Sequence, residues 1–189
     1  LRPSRQFFFP LLAVVLVAAA GIGISKITNP LGGVMTLAPI VTVAFTILWL
    51  LGTTYTMKLL DGLDGLVAGI TAIGALLITA LSLTTRYYQP DVAVIGLALA
   101  GAALGFLAFN RPPARIFLGD TGSMFLGFML GALAMRGEYT KVAGHRFAAI
   151  APVIILGLPI FDTLFVVGAR MARGLPLMEG SPDHFAVRL

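Results

Sequence analysis

From Leu66 to Thr85 the chain runs without one charged side chain, and from Val92 to Phe109 it does so again. A helix needs roughly 20 predominantly apolar residues to cross the hydrocarbon core of a bilayer, and backbone groups in lipid must find partners within their own segment. Runs of this length with so short a link between them read as antiparallel transmembrane helices. Further apolar segments lie near Phe7 to Ile24, Leu37 to Met57, Thr121 to Met135 and Phe147 to Ala169, bringing the expected spans to about six. The fifth is short, and the sixth carries Asp162. Hydrophobic residues make up 58% of the chain and charged residues 11%, which excludes an ordinary soluble domain. The expected fold is all-α, a polytopic transmembrane helix bundle.

Loops are short, and no soluble domain, heptad seam or low-complexity run interrupts the spans. A single integral-membrane domain over residues 1–189 is the economical reading. Leu1 rather than Met leads almost at once into a span, and Asp183 to Leu189 read as a loop, so the chain is expected to be truncated at its front and clipped at its back. There is no cysteine, so redox usage gives no compartment. On a zigzag of spans, Arg2, Arg5, Lys58, Arg111, Arg115, Arg170, Arg173 and Arg188 fall on one side. Lys26, Arg86, Arg136, Lys141 and Arg146 fall on the other. The positive-inside rule makes the first side cytoplasmic. Thr28-Asn-Pro-Leu-Gly-Gly33 reads as a turn on the outer side. The small residues of Ala98 to Gly105 read as a surface for close helix packing. Trp49, Tyr55, Tyr87 and Tyr88 read as apolar-helix and interfacial residues, and His145 as a solvated loop residue.

Carboxylates at the ends of such spans need a reason. Asp61-Gly-Leu-Asp64-Gly-Leu66 lies between the second and third segments. Asp64 fits an N-cap of the third helix, but capping explains neither Asp61 nor Lys58, which lie at three-residue spacings on the same face. That trio alone is equally compatible with a surface ion-pair network and an active site. A second acidic mouth, Phe117-Leu-Gly-Asp120-Thr-Gly-Ser123, opens the fifth segment on the same side. There the glycines permit close backbone approach, Thr121 or Ser123 can cap the helix, and exposed helix amides attract phosphate. Asp120 beside an anion calls for an intervening cation. Mg²⁺, which takes hard oxygen ligands from one or two carboxylates together with substrate phosphates, resolves the conflict. A diphosphate bridged by magnesium is the expected substrate feature, with Asp61, Asp64 and Asp120 converging around the ion.

The aspartate motif, Asn110 followed by Pro113-Ala114, and the Phe117 to Ser123 motif together resemble the polyprenyl-phosphate N-acetylhexosamine-1-phosphate transferase family (glycosyltransferase family 4). Thr28 to Gly33 and Leu158-Pro-Ile-Phe-Asp-Thr163 are more similar to its undecaprenyl-phosphate N-acetylglucosamine-1-phosphate branch than to the phospho-N-acetylmuramoyl-pentapeptide branch. The resemblance implies transfer of a sugar 1-phosphate from a UDP-sugar to polyprenyl (undecaprenyl) phosphate, releasing UMP, in cell-envelope glycan synthesis such as peptidoglycan or lipopolysaccharide. It implies a magnesium enzyme, with manganese as a substitute, in the bacterial inner membrane, with a cytoplasmic site and a homodimeric assembly. Nucleic acid is not an expected partner. By matching position Asp120 ligates the metal, Phe117 stacks on uracil, Asp64 and Asn110 shape the nucleoside pocket, and Asp61 is an active-site acid. His184 lies in the family's histidine loop, which Arg170 and Arg173 precede.

Departures from the family pattern frame the expectation. The family's aspartate pair ahead of the first span is absent, so the stretch alone is expected not to turn over. Lys58 and Tyr55 stand where asparagines are usual. An ammonium cannot ligate magnesium, so Lys58 either contacts phosphate directly or marks an altered activity. Only one imidazole, His184, stands in the histidine loop. The rival readings are a non-catalytic scaffold and a cation-coupled transporter using Asp162.

Overall fold

The computed structural model describes residues 3–24, 26–28, 34–84, 88–137 and 151–174. Helix α1 covers Pro3–Ala19, and a small antiparallel hairpin follows, β1 over Lys26–Thr28 and β2 over Val34–Thr36. Then come α2 over Pro39–Leu60, α3 over Leu66–Ser82, α4 over Pro90–Asn110, α5 over Gly119–Arg136, α6 over Ala151–Ile155 and α7 over Gly157–Ala172. Among the described residues α2 and α4 are each long and apolar enough to cross a membrane on their own, while α1 over Phe7–Ala19 and α3 are shorter and apolar. The 22 residues of α2 cover about 33 Å, which matches the roughly 30 Å hydrocarbon core. The chain is a helical membrane protein.

Local chemistry sets the helix ends. Pro39 and Pro90 open α2 and α4, where a missing N–H costs nothing. Gly65 and Gly119 hold φ of 78° and 63° at the starts of α3 and α5, a conformation that glycine alone adopts without strain.

The helices alternate in direction. Phe7 of α1 stacks on Tyr55 of α2 with ring centroids 5.9 Å apart, and at the other end the Ile24 amide donates to Thr46 of α2 at 3.2 Å. Helices α2 and α5 pack closely. A Cβ on Gly127 would lie 2.7 Å from the Thr53 carbonyl oxygen and 3.0 Å from Thr54 Cα. Gly131 abuts the Thr53 side chain, and the Trp49 indole donates to the Gly131 carbonyl at 3.0 Å. The facing positions therefore climb α2 from Trp49 through Thr53 to Met57 while descending α5 from Gly131 to Gly127. That register aims the next turn of α2, Lys58 and Asp61, at Asp120 and Ser123. Helix α3 packs along α4 and touches α5, closing a core of Met57, Leu60, Val67, Ile78, Leu130 and Leu133.

The outer faces are apolar. Ile40, Leu48, Ile73, Val94 and Leu164 are each at least 60% exposed, an arrangement that lipid requires and water penalises.

The structure revises several expectations. The sixth span is not one helix, because α6 and α7 meet at Leu156, where Pro159 two residues into α7 has no amide for the Ile155 carbonyl. Residues 147–150 lie outside the described residues. In the small-residue stretch Ala100 and Ala103 are buried as a packing surface requires, whereas among the described residues nothing lies within 4 Å of a Cβ built on Gly101 or Gly105, and Gly96, earlier on α4, packs on Thr79 and the Ala75 carbonyl of α3. Trp49 lies within apolar α2 as expected, and its indole is held by α5. Strands flank the Thr28 to Gly33 turn, pairing Thr28 with Val34; residues 29–33 lie outside the described residues, as do Tyr87 and His145.

Candidate active site

The C-terminus of α2, the N-terminus of α3, the C-terminus of α4 and the N-terminus of α5 share one end of the bundle. Lys58 and Asp61 leave the last turn of α2, with Asp61 as its C-cap. The Lys58 ammonium lies 3.4 Å from Asp120 Oδ2, with side-chain exposures of 21% and 50%. Asp120 occupies the first turn of α5, where the helix dipole favours an anion.

Asp61 and Asp120, from separate motifs, face one another closely enough to interact. Burial raises the Asp61 carboxyl above its ordinary range, the Asp120 charge pushes it the same way, and a hydrogen bond from Ser123 partly offsets both. Ser123 is fully buried, and its hydroxyl also lies 3.0 Å from the Gly119 carbonyl and 3.3 Å from that of Asp120. Ser123 and Thr121 therefore do not cap α5, which begins two residues before Thr121. The contact of Ser123 with Asp61 was missing from the sequence reading, although its place one turn after Asp120 was the available signal.

Asp64 plays a different part from the one its spacing predicts. Gly65 takes the N-cap position of α3, with no side-chain cap, and the Asp64 carboxylate instead accepts a hydrogen bond from the Ala114 amide at 3.0 Å. Asn110 completes this link. Its Oδ1 accepts from the Gly65 amide at 3.0 Å and its Nδ2 donates to the Ile116 carbonyl at 2.8 Å. The Arg115 amide closes the same loop onto the Phe109 carbonyl at 2.9 Å. Two loops distant in sequence are thus tied into one unit that presents Phe117, 75% exposed, just ahead of Asp120.

The remaining predicted residues stand apart. Arg173 is the C-cap residue of α7 and is exposed. Asp162 and Arg170 are buried on α7, at 5% and 6% exposure. His184 lies outside the described residues.

The donor set fits a hard divalent cation. Among the described residues no group of three or more acidic, histidine or cysteine side chains converges, so the expected convergence of Asp61, Asp64 and Asp120 narrows to Asp61 and Asp120. A carboxylate pair that leaves further positions to water and phosphate is how Mg²⁺ is commonly held.

At the opposite end Arg136 and Asp91 form an exposed pair at 3.6 Å, which ties α5 to α4.

The chain is 40% identical over 144 residues to a probable undecaprenyl-phosphate N-acetylglucosaminyl 1-phosphate transferase of Bacillus subtilis, covering 76% of this chain and 39% of that protein. It is 34% identical over 203 residues to a decaprenyl-phosphate N-acetylglucosaminephosphotransferase of Mycolicibacterium smegmatis, covering 97% and 50%. It is 37% identical over 141 residues to a phospho-N-acetylmuramoyl-pentapeptide-transferase of Halalkalibacterium halodurans, covering 73% and 40%. The chain thus spans half or less of the length of these relatives. The model of the family described as "Glycosyl transferase family 4" matches residues 1–138, a stretch that holds both acidic motifs and the Asn110 link. With that match over most of its length, the chain belongs to glycosyl transferase family 4.

Proposed function

We propose that the protein carrying this chain transfers a sugar 1-phosphate, N-acetylglucosamine 1-phosphate in the first instance, from a UDP-sugar to a membrane polyprenyl phosphate, releasing UMP. The observation that carries the reading is the meeting of Asp61 and Asp120 in one mouth beside exposed Phe117. The names of the relatives supply the substrate classes.

In the proposed reaction an oxygen of the lipid phosphate attacks the sugar-bearing phosphorus of the donor. The bond to the bridging oxygen breaks, and that oxygen leaves with the electron pair as UMP. Phosphoryl transfer of this kind needs positioning and charge neutralisation more than covalent help from the protein. Asp120, with Asp61 beside it, would hold magnesium, or manganese in its place, which when bound neutralises the diphosphate and the leaving phosphate. Phe117 offers a face for the uracil ring. Asp64 and Asn110 hold the loop that carries Phe117 and act as positioning residues. Arg173 and His184 are assigned to the sugar-nucleotide side on family resemblance. The exposed apolar faces of the helices are suited to the polyprenyl tail as well as to bulk lipid.

The end of the bundle with Lys58, Arg111 and Arg115 is taken as cytoplasmic by the positive-inside rule, in the inner membrane of a bacterium. A homodimer belongs to the same reading. A non-catalytic relative is the alternative, favoured by the ion pair of Lys58 with Asp120.

The test uses the purified full-length protein with UDP-N-acetylglucosamine, undecaprenyl phosphate and Mg²⁺. UMP release by the wild type and its loss in Asp120→Asn support the transferase. Absence of UMP from both, with sugar nucleotide still bound, supports the scaffold.

A further inference from the structure

The bundle places a cation of its own against the acid assigned to the metal. Lys58 Nζ lies 3.4 Å from Asp120 Oδ2. Its stem is fixed in the last turn of α2, and the contact of Gly127 with the α2 backbone holds that turn close to α5. Relief by separating the helices is therefore closed off. An ammonium has no lone pair to offer a metal, and a divalent ion would sit at about 2.1 Å from a carboxylate oxygen. Two cations on one carboxylate, only a few ångströms apart, repel strongly where water is partly excluded.

We propose that Lys58 is a built-in competitor for the divalent cation: its ammonium neutralises Asp120 in the metal-free protein and must move off it when the metal binds, so that Lys58 sets the metal affinity of the site. The inference rests on the reading that Asp120 holds a divalent ion. It deepens that reading by naming the residue that tunes the site. The ion pair is also useful in the metal-free state, because without it Asp61 and Asp120 would face each other with no positive charge from this turn of α2.

The experiment is a Mn²⁺ titration of the purified full-length protein in nanodiscs, followed by the loss of the free-ion signal in electron paramagnetic resonance. The set comprises wild type, Lys58→Met, Lys58→Asn, Lys58→Arg, Asp120→Asn and the Lys58→Met/Asp120→Asn double variant. Removing the charge should tighten Mn²⁺ binding by about tenfold or more in both neutral variants, the scale expected for a partly buried opposite charge. Lys58→Arg, which keeps the charge, should bind as weakly as wild type, and both proteins carrying Asp120→Asn should lose the site. Unchanged or weaker binding in Lys58→Met and Lys58→Asn, with Asp120→Asn still abolishing it, overturns the competitor role and leaves the Asp120 site standing. Lys58→Arg binding as tightly as Lys58→Met also overturns it, since charge would then not be the cause. Binding that survives Asp120→Asn overturns the metal site and this inference together.

Discussion

Replacing Asn110 by alanine probes the linkage that positions Phe117. Asn110 is 5% exposed and serves both loops at once, accepting from the Gly65 amide at 3.0 Å and donating to the Ile116 carbonyl at 2.8 Å. Alanine removes both bonds and leaves a donor and an acceptor behind. Each such loss costs about 1–3 kcal/mol when the orphaned group stays buried. Ile116 is 39% exposed, so its carbonyl can recover water, and the low end applies there. The sum is about 2–4 kcal/mol of loop order. If about 2 kcal/mol of it is recovered each time nucleotide binds, affinity for UDP should fall roughly thirtyfold. Calorimetry of UDP binding to the full-length protein measures this, and amide hydrogen exchange locates it, with Gly65 losing protection while mid-helix amides of α4 do not. Asn110→Asp keeps the acceptor but turns a carboxylate oxygen toward the Ile116 carbonyl, and should not restore affinity. An Asn110→Ala protein with wild-type UDP affinity and unchanged exchange at Gly65 would refute the linkage.

Gly127→Leu should destabilise the full-length protein and abolish UMP release together, because a Cβ there already meets backbone atoms at 2.7 and 3.0 Å and overpacking costs about 1–3 kcal/mol or more. Gly101→Leu, with nothing within 4 Å, is the control that should leave the melting temperature near that of wild type. The pH dependence has a definite sign. With Asp61 raised by burial first and Asp120 second, the folded metal-free protein holds that proton more tightly than the unfolded chain does. The stability from that proton is complete below the ordinary value of 3.8 and is lost as pH rises through the raised folded value. Asp61→Asn should flatten that part of the melting-temperature profile measured in EDTA.

The membrane character, the helix directions and the pairing of acidic motifs at one end were legible because each rests on local signals. Apolar length, proline at helix starts, and glycine at Gly65 and Gly119 can all be read along the chain. The packing surfaces were not, since hydropathy does not distinguish the face of Gly127 and Gly131, which meets α2, from that of Gly101 and Gly105, which meets nothing among the described residues. That choice is made by the partner helix. The break between α6 and α7 was marked in advance by Gly157 and Pro159 and was overridden by the apolar run. Asp64 shows the remaining gap: its spacing fits an N-cap, yet its hydrogen-bond partner, Ala114, lies 50 residues away. Spacing placed the acids at one end, whereas the α2–α5 register separated the pair that meets there, Asp61 and Asp120, from Asp64, which holds a loop.

The central claim, that Asp61 and Asp120 share one divalent ion, is tested most directly by affinity cleavage of the full-length protein with Fe²⁺ in place of Mg²⁺, in the presence of ascorbate and peroxide. The account predicts backbone cuts clustered beside both Asp61 and Asp120, suppressed together by excess Mg²⁺ and absent in Asp120→Asn. Cuts near only one of these positions, or near both but insensitive to Mg²⁺ and to Asp120→Asn, would contradict it.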